Sequence, residues 1–415
     1  MRLSDLQNKD IVNINNGSKI GKIIDVLINI EGNMEALVVQ KNKIINVFSN
    51  NGEFEIKWNQ IKKIGDDVIL VNLWYNWYGD CMKVLLYTEN LKKIGNSGLG
   101  KAIKHQQKAL EDNKIEYTTD PKCKDYDIIH LNFYGPKSYF LAKKAKKQGK
   151  KVVYHAHSTE EDFKNSFIFS NQLAPLFKWW ISKCYRLGDI IICPTPYTKK
   201  LLEKYNLNRP IIAISNGIDL KQFEKDEELG KKFREYFKFK ETDKIIMSCG
   251  IYINRKGIID FVELAKRLPQ YKFVWFGSSP LKYSPKEIKE SVNTKLDNLI
   301  FPGYVPFDIL KGGYSGSDLF LFPTYEENEG IPIMEAATSR LKILTRDIPV
   351  FEDWIIDKKD VYKAKNIDEF ESLAVQILEN KLPDLRDNAY IMANSREITK
   401  VGKQLIEVYE SLMKK

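Results

Sequence analysis

The sequence predicts an α/β chain in which two Rossmann-like units face a cleft, preceded by a small all-β domain. Three patterns carry that prediction. Short alternating strands broken by Asn/Gly turns fill residues 1–75, buried apolar runs alternate with helical periodicity over 82–225, and a second such series occupies 226–395. A length of 415 residues accommodates two or three domains, and 43% hydrophobic with 29% charged residues is ordinary for a globular protein.

In the first segment the alternating stretches are Asp10–Ile14, Ile20–Ile30, Ala36–Gln40, Ile44–Phe48, Phe54–Trp58 and Asp67–Asn72. Turn signals at Asn16-Gly17, Glu31-Gly-Asn33 and Asn50-Asn-Gly52 separate them, which predicts a small antiparallel barrel or sandwich. An aromatic stretch, Leu73–Asp80, leads to Met82, which reads as a fresh N-terminus opening a buried strand, as a gene fusion would leave it. Strands are then expected at Lys83–Tyr87, Asp127–Leu131, Lys151–His155, Asp189–Cys193 and Ile211–Ser215. The second series places them at Lys244–Cys249, Lys272–Phe276, Asn298–Phe301, Asp318–Phe322 and Lys342–Thr345. Between the series, the charged, strand-poor stretch Asp219–Glu241 marks a boundary. The last helical pattern, Ser395–Met413, is expected to bring residues 396–415 back onto the first Rossmann-like unit.

No apolar run approaches the roughly 18 residues that span a bilayer, and the opening residues lack the apolar stretch of a signal peptide, so a cytoplasmic chain is expected. Cys81, Cys123, Cys184, Cys193 and Cys249 are odd in number and widely spaced, an arrangement that argues against disulfides and structural zinc. The net charge of +10 is concentrated: residues 82–215 hold 24 Lys/Arg against 12 Asp/Glu, while the flanking segments are nearly neutral. A basic unit fits an anionic partner surface, nucleic acid or phospholipid, and equally a lysine-rich solvated face.

The most informative segment is Thr324–Ala336, where Glu327 and Glu335 stand eight positions apart around Gly330-Ile331-Pro332. A strand ends before it and a helix over Pro332–Ser339 begins within it, with proline in the first turn. Gly330 permits close approach of a ligand, and free N–H groups at a helix start favour a diphosphate. One carboxylate can then accept from ribose hydroxyls and the other from a transferred sugar; a solvated acidic loop before a capped helix explains the same residues. Upstream, Gly95-Asn-Ser-Gly98-Leu-Gly100 precedes the predicted helix Lys101–Leu110, either as a phosphate or sugar loop or as a plain helix lead-in. His155 and His157 lie at a strand's carboxyl end on one side, suited to polar contact with a sugar or phosphate. No third ligand completes a metal site there. Asp125-Tyr-Asp127 sits at a strand start and reads as a turn and cap. Lys178, Trp179, Trp180 and Lys183 belong to a stretch of rings and cations suited to a membrane headgroup layer or to core packing. Gly250 with Arg255-Lys256-Gly257 turns from strand to helix and puts cations where a diphosphate would lie.

In their order along the chain, these pieces resemble the GT-B, nucleotide-sugar-dependent retaining glycosyltransferases of family four. The pieces are Gly98 and Gly100, His157, Ser215-Asn-Gly-Ile-Asp219 with Phe223, Gly250 with Lys256-Gly257, Gly303, Glu327 to Glu335, and Asp347-Ile-Pro349. The resemblance implies that Glu335 binds the ribose and that Glu327 with the Gly330-Ile331 loop meets donor sugar and phosphates. It further implies that Lys256 neutralises the diphosphate, that His157 lies against the transferred sugar, and that no metal or other cofactor is required. The family's usual arginine after the glycine is replaced by Ile251, and Arg255 is expected to supply that charge. Asn328-Glu329 replaces the usual Gly-Phe, and together with Arg255-Lys256-Gly257 and His155–Phe163 this looks like the branch that glucosylates diacylglycerol lipids. The implied reaction moves glucose from UDP-glucose to diacylglycerol or glucosyl-diacylglycerol, on the inner face of the cell membrane, with no nucleic acid involved. A polysaccharide or cell-wall precursor is the rival acceptor. A non-catalytic nucleic-acid or partner-binding scaffold is the rival of another class, and the intact Glu327/Glu335 pair argues against it. Lys9–Gly17, Gly21–Asp25 and Trp58–Asn72 resemble PRC-barrel proteins of the sporulation-associated type, which implies a β-barrel used for contacts with a protein partner.

Overall fold

The computed structural model describes residues 2–14, 17, 19–41, 53–72, 82–89 and 98–413. The predicted strand Ile44–Phe48, the turn at Asn50–Gly52, the aromatic stretch Leu73–Asp80 and residues 95–97 of the glycine loop lie outside them. The chain falls into two compact units, Met1–Cys81 and Met82–Lys415.

The first unit contains β1 (Asp10–Asn13), β2 (Gly21–Ile28), β3 (Met34–Lys41), β4 (Glu53–Lys57), β5 (Ile61–Ile64) and β6 (Val68–Val71). They form two three-stranded sheets, ordered β1-β6-β5 and β2-β3-β4. Alternation sends Ile11, Ile23, Leu37, Val39, Ile56, Ile69 and Val71 into one core. The expectation of a wholly antiparallel unit is corrected at one pair: β1 runs parallel to β6. The whole unit connects these two strands rather than a hairpin, so no turn chemistry fixes their relative direction.

The second unit holds two parallel sheets of six strands. The first contains β7 (Lys83–Tyr87), β8 (Glu116–Thr118), β9 (Ile128–Leu131), β10 (Lys151–His155), β11 (Ile190–Cys193) and β12 (Ile211–Ala213), in the order β12-β11-β10-β9-β7-β8. The second contains β13 (Ile245–Cys249), β14 (Lys272–Phe276), β15 (Leu299–Gly303), β16 (Leu319–Phe322), β17 (Ile343–Arg346) and β18 (Tyr362–Ala364), ordered β15-β14-β13-β16-β17-β18. Helices cover both faces of a parallel sheet, which is why β11 and β16 read as unbroken apolar runs and are buried throughout. The order of the second sheet reverses between β13 and β16, and ligands of open α/β sheets bind beyond the carboxyl ends at such a reversal. Cys249-Gly250 and Pro323-Thr324 emerge there.

The chain crosses between the halves twice, and residues 218 and 397 pair where the crossings meet. After the second crossing the helix Ile398–Met413 buries Ile398, Val401, Leu405 and Tyr409 against the first sheet, in one cluster with Val84, Leu110 and Val153. Gly402 makes that packing close, since a Cβ there would stand 2.9 Å from the Ala109 carbonyl oxygen. Among the described residues no helix is long and apolar enough to cross a membrane.

Candidate active site

At the reversal point the chain leaves β16 and crosses the cleft before the helix Ile331–Thr338 begins. Gly330 caps that helix with φ 92°, a conformation open to glycine. The facing turn, Asn254–Lys256, ends at Gly257, where a Cβ would stand 2.2 Å from the Pro323 carbonyl oxygen. Only glycine therefore lets this cationic turn press against the loop. The two are fastened together: Tyr325 N–H donates to Arg255 O at 2.7 Å, and Arg255 Nη1 donates to Glu326 O at 2.9 Å.

Glu327 is buried in this junction. Its Oε1 pairs with Lys256 Nζ and lies 2.9 Å from Thr324 Oγ1, while Oε2 is 3.9 Å from Arg255 Nη1. Burial alone would raise its pKa, but the attraction of Lys256 and Arg255 outweighs it and holds the carboxyl below the usual range. Burial pulls the Lys256 pKa down despite Glu327. Arg255 stands beside Lys256 in this turn and shares Glu327 with it.

Glu335 lies on the helix, fully enclosed. Tyr314 OH donates to its Oε2 at 2.7 Å, and Lys101 Nζ, from the other half, lies 2.5 Å from its Oε1. Lys101 directly follows Gly100 in the first turn of the helix Gly98–Asp112, and that helix start carries its ammonium to Glu335. Gly98 itself faces open space, with nothing within 4 Å of a would-be Cβ. Ile331 is buried and anchors the helix start.

The unusual pair Asn328-Glu329 spans the cleft. Asn328 Nδ2 donates to His157 O at 2.8 Å and to Asp162, and its own carbonyl oxygen lies 3.1 Å from Thr195 Oγ1. Glu329 accepts from Ser215, from Asn216 N–H at 2.9 Å and from Asn216 Nδ2 at 2.7 Å. A Gly-Phe pair could make none of these side-chain bonds.

Behind this loop all four histidines gather on the first half. His155 and His157 stack with ring centroids 4.0 Å apart, and His130 stacks on His155 at 5.3 Å. His157 Nε2 lies 2.8 Å from Asn132 Oδ1, which also accepts from Gln106 Nε2 at 2.9 Å. That contact sets the Nε2 edge of His157 against the Asn132 side chain. Burial depresses the pKa of His130 and of His157 to about 3, which keeps both imidazoles neutral at working pH. His105 instead ties its helix to the crossing, with Nδ1 2.8 Å from Gly217 O. Asp127 caps β7 through Lys83 N–H at 3.1 Å, the local role its position suggested.

On the helix Ser170–Tyr185 the two tryptophans part. Trp180 Nε1 donates to Tyr134 O at 2.7 Å and packs on Tyr139, so it serves the core. Trp179 is 52% exposed, with Lys183 Nζ 4.0 Å from its ring centroid. Lys178 is drawn aside by Glu160 at 3.0 Å. The exposed stripe runs Leu173, Leu176, Trp179, Lys183, and it continues into Phe167, Ile168 and Phe169. Phe140 is also exposed, on the helix Pro136–Lys147 that packs through Tyr139 on Trp180 and carries exposed Lys137, Lys143, Lys144 and Lys147. Leu173, Leu176 and Phe140 were not singled out from the sequence, although the i, i+3 spacing of the two leucines with Trp179 marks one helix face.

Glu326, beside Glu327, offers a titration within reach of experiment. Burial, with repulsion from Asp162 and against the pull of Arg255, pushes its carboxyl up to about 7. Between pH 4.5 and about 7 the folded chain keeps a proton there that the unfolded chain has lost, so this group makes stability fall as pH rises. Glu326→Gln, which resembles the protonated acid, is expected to raise the thermal midpoint at pH 8 by roughly 2–4 °C and to change it little at pH 5. Equal shifts at both pH values would refute the assignment.

Residues 116–222 match the family described as Glycosyltransferase Family 4, and residues 230–397 match Glycosyl transferases group 1. The processive diacylglycerol alpha-glucosyltransferase of Acholeplasma laidlawii is 39% identical over 336 residues, covering 80% of this chain and 99% of that protein. The chain belongs to the family-four glycosyltransferases. It is a nucleotide-sugar-dependent transferase of GT-B fold, with an N-terminal PRC-barrel domain matched over residues 1–73. The crystal structure of Anabaena Alr3699/HepE in complex with UDP-glucose superposes at a TM-score of 0.65 with 15% identity, covering 80% of this chain and all of that one. The barrel is 44% identical over 73 residues to the probable sporulation protein YlmC of Bacillus subtilis, which spans 17% of this chain and 90% of that protein.

Proposed function

We propose that this transferase moves glucose, with retention, from UDP-glucose to diacylglycerol or glucosyl-diacylglycerol at an anionic membrane surface, on the inner face of the cell membrane. The observation that carries the lipid acceptor is the exposed stripe Leu173-Leu176-Trp179 with Phe140, flanked by the lysines of the helix Pro136–Lys147. Exposed rings and leucines beside cations suit an acyl boundary under anionic headgroups, and a face of this kind brings the first Rossmann half to its lipid. The 39% identity to a diacylglycerol glucosyltransferase supports the same choice. Gly98, Gly100 and His157 lie on that half, and Gly250, Arg255, Lys256, Glu327, Gly330, Ile331 and Glu335 lie across the cleft.

In this reading the ribose hydroxyls donate to Glu335, and the diphosphate lies before the helix capped by Gly330, with Lys256 and Arg255 opposite. Those cations and the helix N–H groups take up charge as the glycosidic bond to the diphosphate breaks, without recourse to a metal. Neutral His157, its Nε2 edge set against Asn132, offers Nδ1 toward the transferred sugar. The barrel is proposed to hold a protein partner.

Incubation with a panel of nucleotide sugars and acceptors, followed by product mass analysis, tests the reaction. Glucosylated diacylglycerol from UDP-glucose supports the reading; transfer confined to polysaccharide or cell-wall precursors would replace it.

A further inference from the structure

The donor cleft contains a cation from the opposite half. Lys101 Nζ and Glu335 Oε1 meet across 234 positions of sequence. The other oxygen of Glu335 is already committed within its own half, to Tyr314 OH at 2.7 Å, and that hydroxyl lies 3.2 Å from Cys249 Sγ. A ribose reaching Glu335 from the cleft therefore competes for the oxygen that Lys101 holds. The remaining cations are matched differently: Lys256 pairs with Glu327, and Arg255 is shared between Glu327 and the Glu326 carbonyl. Glu335 and Glu327 thus each face a cation. Burial by itself would lower the Lys101 pKa, but Glu335 overrides it and keeps the ammonium charged.

Resting on the reading of Glu335 as the ribose ligand, we propose that Lys101 is a donor-binding residue supplied by the acceptor half, displaced from Glu335 by the ribose hydroxyls and taken up by the donor's diphosphate. A ribose diol replaces hydrogen bonds but brings no charge. An ammonium released in a largely enclosed site needs a new anion, and the ligand itself carries one. Glu335 follows Gly330 by five residues, so the helix start lies roughly 7 Å away at about 1.5 Å of rise per residue. A lysine stem pivoting beside Glu335 spans that interval, and the Phe223 ring, with its centroid 5.6 Å from Nζ, gives the stem an apolar surface to lie on. The diphosphate gains charge as it leaves, so the contact strengthens toward the transition state and acts on turnover as well as binding. Because Lys101 belongs to the other half, the pull that closes the cleft then depends on a nucleotide with its diphosphate rather than on the nucleoside alone.

Calorimetric titration of UDP and of uridine, together with steady-state transfer from UDP-glucose, tests this on Lys101→Met and on Lys101→Arg, the latter retaining the charge should the former fold poorly. Lys101→Met is expected to weaken UDP at least about tenfold, leave uridine unchanged or tighter, and lower kcat about tenfold, with Lys101→Arg recovering most of the loss. UDP and uridine tightening together would show that Lys101 only competes for Glu335 and would overturn the proposal. Equal weakening of both would reduce Lys101 to a structural partner of Glu335 and overturn it too. Failure of the unsubstituted chain to bind any nucleoside diphosphate would remove the ribose reading and this proposal with it, a result distinguishable because it needs no variant.

Discussion

Glu335→Gln is expected to lower kcat/KM for glucosyl transfer by roughly 10²–10⁴ while the chain stays folded. The carboxylate is wholly enclosed, accepts from Tyr314 and faces Lys101, so it has no solvation to fall back on. Hydrogen bonds to a charged group contribute about 1.5–3 kcal/mol each, and two ribose hydroxyls account for the expected range. Glutamine keeps the volume and one acceptor oxygen but removes the charge. Both substitutions take the counter-ion from Lys101, but alanine would also open a cavity and leave Lys101 no acceptor oxygen, confounding binding with folding. Product mass analysis with lipid acceptor and UDP-glucose measures the transfer, and circular dichroism checks the fold. Activity within about threefold of the unsubstituted enzyme would show that Glu335 does not hold the ribose.

How much of this site the sequence discloses depends on how far apart its partners lie along the chain. Glu327, Gly330 and Glu335 were legible because a strand end, a glycine cap and a proline-bearing first turn fix their spacing locally. The strands flanked by apolar neighbours were legible because burial on both faces leaves continuous apolar runs, whereas β8 and β18, three residues each with Glu116 or Lys363 among them, leave no such run. Lys101 and Tyr314 were not legible as partners of Glu335, since only the folded cleft brings them to it. Asn328-Glu329 registered as a departure, but its purpose, bonding the two halves through His157, Asp162, Ser215 and Asn216, requires knowing what lies across the cleft. The tryptophans teach a narrower lesson. Residues adjacent on a helix point about 100° apart, so Trp179 and Trp180 cannot share one face. Phase alone groups Trp180 with Phe177 and Cys184, inward, and Trp179 with Leu173 and Leu176, outward.

That division yields the second large effect. Replacing Leu173, Leu176 and Trp179 together by serine is expected to weaken binding to anionic vesicles by roughly 10²–10³, because each half-exposed side chain forfeits about 1–1.5 kcal/mol of apolar burial in the bilayer boundary. Trp180→Ala should act differently, destabilising the fold through loss of its bond to Tyr134 O and its packing on Tyr139. The basic flank adds about 1 kcal/mol for each lysine near the surface, a contribution that salt screens and serine substitution leaves in place. The triple variant should therefore keep a residual, strongly salt-sensitive association, while the unsubstituted enzyme keeps a salt-resistant part. Vesicle co-sedimentation across ionic strength separates the two contributions. Transfer to a short-chain diacylglycerol dispersed in detergent should survive in the triple variant, since the stripe contains none of the residues proposed to hold the donor, Lys256, Glu327 and Glu335. Loss of that soluble activity would mean that the stripe holds the acceptor directly, and unchanged vesicle binding would mean that the lipid reaches the cleft over another face.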